Sequence, residues 1–336
     1  MGFCPKAKFK IYMRKHSISV SLALLLTISL CFAQTTKEQK DPAPASLCPN
    51  PIKGQAEPAR VLWPAVVTKP VANIYRYPSV EADVVSQAIY TTNVDCWGEK
   101  GGWACVSTPD SYRGWMPTTS LRPIDRPYAE KGREGQVAQV ETLFANLYCK
   151  PDVTKNEPIH TIPYESRLEV IKYPERNKPM WIKVRLPEGR TAWIQSGDVA
   201  FDIKPKDVNE IIAWSKQFLG LPYLWGGTST FGYDCSGFTQ MLFRRRGVYI
   251  PRDAKDQAHW VGFVHIERRE LKAGDLVFFS SRGDEKEINH TGMYIGNDEF
   301  INATPHQRPV VQISSLKECH WTKLFVAARR LKDSRN

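Results

Sequence analysis

The stretch FGYDCSGFTQMLFRRRG, residues 231–247, sets a cysteine directly ahead of an amphipathic run. Phe238, Met241 and Leu242 fall on one face at helical spacing, and Gly247 supplies the stop. The spacing therefore predicts a helix with Cys235 in its first turn. Unpaired backbone N–H groups give that end of a helix a partial positive charge, which favours thiolate over thiol. The position is thus expected to lower the Cys235 pKa. Small neighbours, Ser236 and Gly237, leave room for a carbonyl group to approach, and the Cys235 N–H is placed to donate to a developing oxyanion. Taken alone, such a cysteine reads as a small buried hydrophobe. A base elsewhere in the chain decides between the two readings.

A nucleophilic thiol requires that base. His290, in INHTGMYIGNDEFINATP (288–305), stands at the start of a strand-like run, a setting that His259, His265, His306 and His320 lack. A turn at 296–299 would fold EFINA back along HTGMYI and bring Asn302 close to the point opposite His290. Alternation alone does not say which face each side chain takes. An amide in that place would hold the imidazole in one orientation and one tautomer.

Around these residues the texture is mixed. DVNEIIAWSKQFLG (207–220) has apolar residues at helical spacing and ends on Gly220. After the Cys235 helix come short strand-like runs, GDLVFFSS, HTGMYIGN, EFINAT and FVAARRL. Helices followed by antiparallel strands argue an α+β domain. Upstream, residues 71–116 recur in outline at 144–194. The shared landmarks are Ala72-Asn73 with Ala145-Asn146, Pro78 with Pro151, Trp103 with Trp181, and Trp115 with Trp193; the offset grows from 73 to 78, as one insertion would produce. Each copy reads as several short strands between Gly, Pro and Asn turns, the pattern of a small β-barrel. The expected organisation is a signal at 1–33, a Pro-rich leader at 34–59, barrels at 60–125 and 126–203, and an α+β domain at 204–336.

The first 33 residues join a basic stretch to the apolar run ISVSLALLLTISLCFA, with a cut site after Ala33, and read as a secretion signal. A lipid anchor on Cys31 is the alternative, though Leu30 is bulky for it, and membrane association is expected only in that case. Residues 1–33 carry five Lys/Arg and no acid, so their removal lowers the formal charge from +11 to +6. No dense Lys/Arg run is interleaved with stacking aromatics, which argues against nucleic acid as a partner. A moderately basic surface suits a carboxylate-bearing polymer or peptide. Six cysteines remain beyond the signal, and Cys96 and Cys105 flank a hairpin-like turn across which a bridge is conceivable. There is no CxxC pair and no His/Cys cluster with ligand spacing, so neither metal nor cofactor is expected.

Six blocks follow one another in the order of the NlpC-type cell-wall cysteine peptidases, a papain-like group that the chain resembles over about 205–332: PYLWGG (222–227), DCSGF (234–238), IPRD (250–253), AGDLVFF (273–279), NHTGMYIGN (289–297) and FINA (300–303). The two barrels resemble bacterial SH3-like domains. Together they give the architecture of the γ-D-glutamyl-L-diamino acid endopeptidases. The resemblance implies Cys235 as nucleophile, His290 as base and Asn302 as the orienting residue, where many relatives carry His. It also implies a substrate with a free N-terminal L-Ala, cut between γ-D-Glu and diaminopimelate or Lys, with the first barrel closing one end of the groove. An ammonium needs a carboxylate and further acceptors. Asp234 fits that role or merely caps the helix. Tyr112 matches a substrate-facing tyrosine, Asp83 rather than Glu81 fits the spacing of its acidic companion, and Tyr223 and Ser236 are implied as groove residues. Ala254 stands where relatives often have serine after PRD, which removes one substrate hydrogen bond. The competing readings are a hydrolase of the intact sacculus, a non-catalytic wall-binding protein and an acyl transferase using the same groups.

Overall fold

In the first barrel, β2 (Val71–Tyr75) alternates, with Ala72 and Ile74 inward, as a strand with one buried face must. A computed structural model describes Cys48 and residues 61–130, 136–173 and 180–332. The secretion signal and Cys31 lie outside the described residues, as does most of the Pro-rich leader. Flanking β2 in this barrel are β1 (Trp63–Val67), β3 (Val84–Ile89), β4 (Asn93–Lys100), β5 (Trp103–Ser107), β6 (Arg113–Pro117) and β7 (Leu121–Pro123), in the sheet order β3-β2-β6-β5-β4-β1-β7. The second barrel consists of β8 (Val137–Val140), β9 (Phe144–Tyr148), β10 (His160–Pro163), β11 (Arg167–Lys172), β12 (Trp181–Arg185), β13 (Thr191–Gln195) and β14 (Val199–Ala200). Its order, β10-β9-β13-β12-β11-β8-β14, repeats the first barrel strand for strand. The offset between the copies is 74 at Thr91/Glu165 and 78 at Trp103/Trp181, so most of the insertion lies in the β11–β12 connection.

The repeat extends to a strained residue. Thr91 and Glu165 each follow a buried tyrosine, Tyr90 or Tyr164, and each has φ 69°. The left-handed region costs a non-glycine residue on the order of 1–3 kcal/mol and is kept where surroundings over-determine it. Here both residues hold the next domain. Thr91 Oγ1 accepts from the Arg167 backbone N–H at 3.0 Å, and the Glu165 carboxylate takes Arg244 Nη2 at 2.7 Å.

The C-terminal domain begins with α1 (Val208–Ser215), started by a reciprocal cap between Asp207 and Glu210. Next come the two-residue strands β15 (Thr228–Ser229) and β16 (Gly232–Tyr233), then α2 (Cys235–Arg245) and α3 (Ala254–Ala258). The main sheet contains β17 (Phe263–His265), β18 (Leu276–Phe279), β19 (His290–Gly296), β20 (Glu299–Thr304) and β21 (Val310–Ser315); α4 (Cys319–Leu324) and β22 (Phe325–Leu331) end the domain. The sheet order is β17-β22-β18-β19-β20-β21. All four residues of β18 are buried, as the continuous run LVFF requires of an inner strand. Helix α2 packs on β19 and β20 through Phe238, Met241 and Leu242, which join Met293, Ile301 and Ala303 in one core. The opposite face of the sheet is covered by a second cluster around Phe279, Phe300 and Trp321. The fold is α+β, with a papain-like domain behind two SH3-like barrels.

One sequence expectation is corrected. Cys105 is bonded to Cys48, with Cα atoms 5.5 Å apart, and Cys96 is free. A bulge in the β4–β5 ladder sets Cys96 opposite Val106 and Cys105 opposite Gly98, so the two cysteines do not face each other. Cys96 points into the barrel core, where burial pushes its thiol up to about 12.

Candidate active site

Cys235 is the first residue of α2, and Asp234 is its N-cap, accepting the Gly237 N–H at 2.7 Å. Gly237 is small because of backbone, not because of a ligand: a Cβ there would fall 2.2 Å from the Gly227 carbonyl oxygen. That close approach seats the helix end against the PYLWGG loop. The Asp234 carboxylate is also gripped by Arg252, with Nη1 at 3.0 Å from Oδ1 and Nη2 at 2.6 Å from Oδ2. Arg252 Nη1 further donates to Ser236 Oγ at 2.9 Å, and Nε reaches Ser86 Oγ of the first barrel at 3.0 Å. Asp234, Ser236 and Arg252 are all buried. Asp234 is therefore committed to the cap and the guanidinium. Arg252 lies in the IPRD block, but nothing in its spacing announced that it would brace the nucleophile.

His290 opens β19, and the next residue, Thr291, turns its backbone N–H toward the Cys235 sulfur. On the far side, His290 Nε2 lies 2.9 Å from Asn302 Oδ1. The Asn302 amide is fully buried, and its Nδ2 donates to Ser314 Oγ at 3.1 Å and to the Gln312 carbonyl at 3.3 Å. With the nitrogen so occupied, the oxygen must be the atom facing the ring. His290 Nε2 then carries the proton and Nδ1 keeps the lone pair. The Gln312 carbonyl, which can only accept, fixes this choice, and Ser314, which no sequence pattern singled out, adds a second contact. The ring stacks on Trp321, with centroids 5.0 Å apart, and borders Phe279.

These neighbours alter the acid–base character expected at a helix end. Burial is the largest influence on Cys235 and pushes its thiol up to about 12; the Asp234 carboxylate adds to the rise, against the Thr291 N–H, Arg252 and the Ser236 N–H. Burial likewise pulls His290 from 6.5 down to about 4, against the Asn302 hydrogen bond. The expectation of a lowered Cys235 pKa is thus corrected: desolvation outweighs the helix N-terminus. These surroundings favour the thiol form of Cys235 and the neutral imidazole of His290. Folding stability follows these shifts. The unfolded imidazole binds its proton near 6.5, so stability is lost as pH falls from there toward about 4. The unfolded thiol ionises near 9, so stability is also lost as pH rises from there toward about 12.

An Asn302→Asp variant tests the geometry. The acid limb of kcat/KM is expected near pH 4 in the wild type. A carboxylate at 302 favours the imidazolium and should raise that limb by at least about one unit. An unmoved limb would mean that position 302 does not govern the base.

The remaining sequence candidates separate into two groups. Tyr223 is close enough for the charges of Cys235 and Asp234 to raise its hydroxyl pKa, after burial as the larger cause. Tyr112 reaches across from the first barrel and donates to Asp253 Oδ2 at 3.4 Å. Asp83 is 72% exposed on the β2–β3 loop and pairs with Arg76 at 3.6 Å rather than with Tyr112. The acid beside Tyr112 is instead Asp253, which sits at the N-cap of α3 without capping it. Burial raises its carboxyl pKa, against the lowering by Arg252. Asp253 was quoted in the sequence only as a landmark in IPRD, and its distance of 141 residues from Tyr112 hid the pairing. Ala254 is buried at the first position of α3. Among the described residues, no group of three or more His, Cys, Asp or Glu is arranged to hold a metal.

Residues 220–330 match the NlpC/P60 family, and residues 74–121 match the bacterial dipeptidyl-peptidase Sh3 domain. A γ-D-glutamyl-L-lysine dipeptidyl-peptidase of Bacillus cereus is 33% identical over 258 residues, covering 73% of this chain and 74% of the relative. The dipeptidyl-peptidase 6 of Lysinibacillus sphaericus is 25% identical over 267 residues, covering 76% and 93%. Among solved structures, an NlpC/P60 family protein from Bacillus cereus superposes with a TM-score of 0.68 at 27% identity, over 80% of this chain and 99% of that one.

Proposed function

The chain belongs to the NlpC/P60 family of cysteine peptidases, and from that premise we propose that it hydrolyses the γ-D-Glu–diamino acid bond of peptidoglycan-derived peptides bearing a free N-terminal L-Ala. One observation carries the free-amine requirement. Tyr112 of the first barrel and Asp253 of the catalytic domain pair across the domain boundary. A half-buried carboxylate that caps nothing, with a phenol oxygen beside it, offers an ammonium group a counter-charge and a second acceptor. Asp234, already saturated by Arg252, braces the site from behind.

In this reading His290 Nδ1 takes the Cys235 proton as sulfur attacks the γ-amide carbon. The oxyanion is held by the Cys235 backbone N–H, which has no helical acceptor at the first turn, and by the Tyr223 hydroxyl. The imidazolium returns the proton to the leaving amine of the diamino acid, leaving a thioester. Water, deprotonated by His290, then hydrolyses the thioester and restores the thiol. Asn302 and Ser314 hold the ring in the tautomer that both transfers need. The role implies an exported protein, in keeping with the secretion signal read at 1–33. No helix of the described residues is long and apolar enough to cross a membrane.

The test compares L-Ala-γ-D-Glu-diaminopimelate and its Lys counterpart with their N-acetylated forms. Losing a charge-assisted contact should lower kcat/KM on acetylation by about 100-fold. Equal rates would overturn the free-amine requirement and favour action on the intact sacculus, where the L-Ala amine is blocked.

A further inference from the structure

A cavity of about 500 Å³ lies where both barrels meet the catalytic domain, away from Cys235. Its size falls within the range of small-molecule sites, which favour domain junctions. The two strained residues, Thr91 and Glu165, both line it, together with the C-terminal half of α2 at Gln240, Arg244 and Arg245. The cations of α2 are neutralised: Arg244 by Glu165 at 2.7 Å and Arg245 by Glu141 at 3.1 Å. Arg167 is different. It lines the cavity, it is half-buried, and among the described residues its guanidinium has neither an ion-pair partner nor a hydrogen-bond acceptor. Burial lowers its pKa, with only the Tyr249 phenol opposing. A cation withdrawn from water without a counter-charge is costly. Asp110, on the same wall system, accepts from the uncharged donors Gln240 Nε2, at 2.8 Å, and the Thr108 hydroxyl, and shares the charge of Arg244 with Glu165. The cavity therefore presents one cation without a counter-charge, Arg167, and two carboxylates, Asp110 and Glu165, that share the single cation Arg244. A phosphate, with close to two negative charges, would meet Asp110 and Glu165 with too little to balance it.

We infer that this three-domain cavity binds a zwitterion, a free amino acid or short peptide, with its carboxylate on Arg167 and its ammonium on Asp110. The bound molecule would tie the barrels to α2. The same wall includes Ser86, the acceptor for Arg252 Nε behind the nucleophile. The inference stands on the cavity alone and does not depend on the reaction proposed for Cys235.

The probe is L-alanyl-L-alanine, titrated calorimetrically into the full chain and three variants. Arg167→Met should weaken binding by about tenfold or more, as loss of a charge-assisted pair requires. Arg167→Lys, which keeps the charge, should retain more of it. Asp253→Asn, which removes the acid proposed to meet a free amine in the active site, should leave the Arg167-dependent binding unchanged. The dipeptide should raise the melting temperature of the wild type and fail to do so in Arg167→Met. Because Arg167 has no partner to lose, the unliganded variant should melt close to the wild type. Binding that survives Arg167→Met but is lost in Asp253→Asn would put the dipeptide in the active site and overturn the inference. So would the absence of heat at about 10 mM dipeptide, a concentration that detects millimolar affinity.

Discussion

Cys235→Ala is expected to lower kcat by about 10⁴-fold or more on L-Ala-γ-D-Glu-diaminopimelate, without loss of fold. Removing the nucleophile of a catalytic unit forfeits nearly all that the unit supplies, and only binding and oxyanion stabilisation remain. The fold should survive because the sulfur is a small fraction of the α2 packing. The burial of that helix rests on Phe238, Met241 and Leu242, all fully buried, whereas Cys235 retains 7% of its surface. The high thiol pKa makes a second outcome specific. Alkylation by iodoacetamide, which reports thiolate, should be slow near neutral pH and accelerate toward about pH 12. Cleavage within tenfold of the wild type by the alanine variant would remove Cys235 from the mechanism. Fast alkylation at pH 6 would show instead that the pair rests as thiolate and imidazolium.

The second large effect is on stability. Arg252→Met should cost about 3–5 kcal/mol, because it leaves the buried Asp234 carboxylate without the charge that compensates it. Three further hydrogen bonds depend on the same guanidinium or its neighbour: those accepted by Ser236 Oγ and Ser86 Oγ, and the one that the Gly237 N–H donates to Asp234. The variant should therefore loosen the first barrel from the catalytic domain as well as the α2 N-terminus. Urea unfolding measures the loss. A double variant, Arg252→Met with Asp234→Asn, should recover a substantial part, since the orphaned charge is then gone. A loss below about 1 kcal/mol for the single variant would mean that water reaches Asp234 and that the pair is not a brace.

The same residues separate what each level of description contains. The Cys235 helix, its stop at Gly247 and the strands carrying His290 and Asn302 were legible because local periodicity and glycine punctuation fix elements over ten or so residues. The barrel repeat was legible too, since aromatic and proline landmarks keep their order through an insertion. Alternation could not say that Asn302 faces His290. That depends on the register of β19 with β20, set at Met293–Ile301, and on Ser314 across the next strand. The cysteine pairing, left open by the sequence, was decided in a related way: one bulge in the β4–β5 hairpin moved Cys105 away from Cys96.

By itself, then, the sequence determined the candidate Cys, His and Asn of the site, the α+β class, the doubled barrels and the family they resemble, all properties carried by short segments. Tertiary structure alone decided four matters. It paired Tyr112 with Asp253 across 141 residues, turned Asp234 into the partner of Arg252, and left Arg167 facing a cavity without a counter-charge. It also reversed the expected acidity of Cys235. The physical reason is common to all four: burial and charge compensation depend on which distant segments exclude water from a group, and no local pattern encodes that.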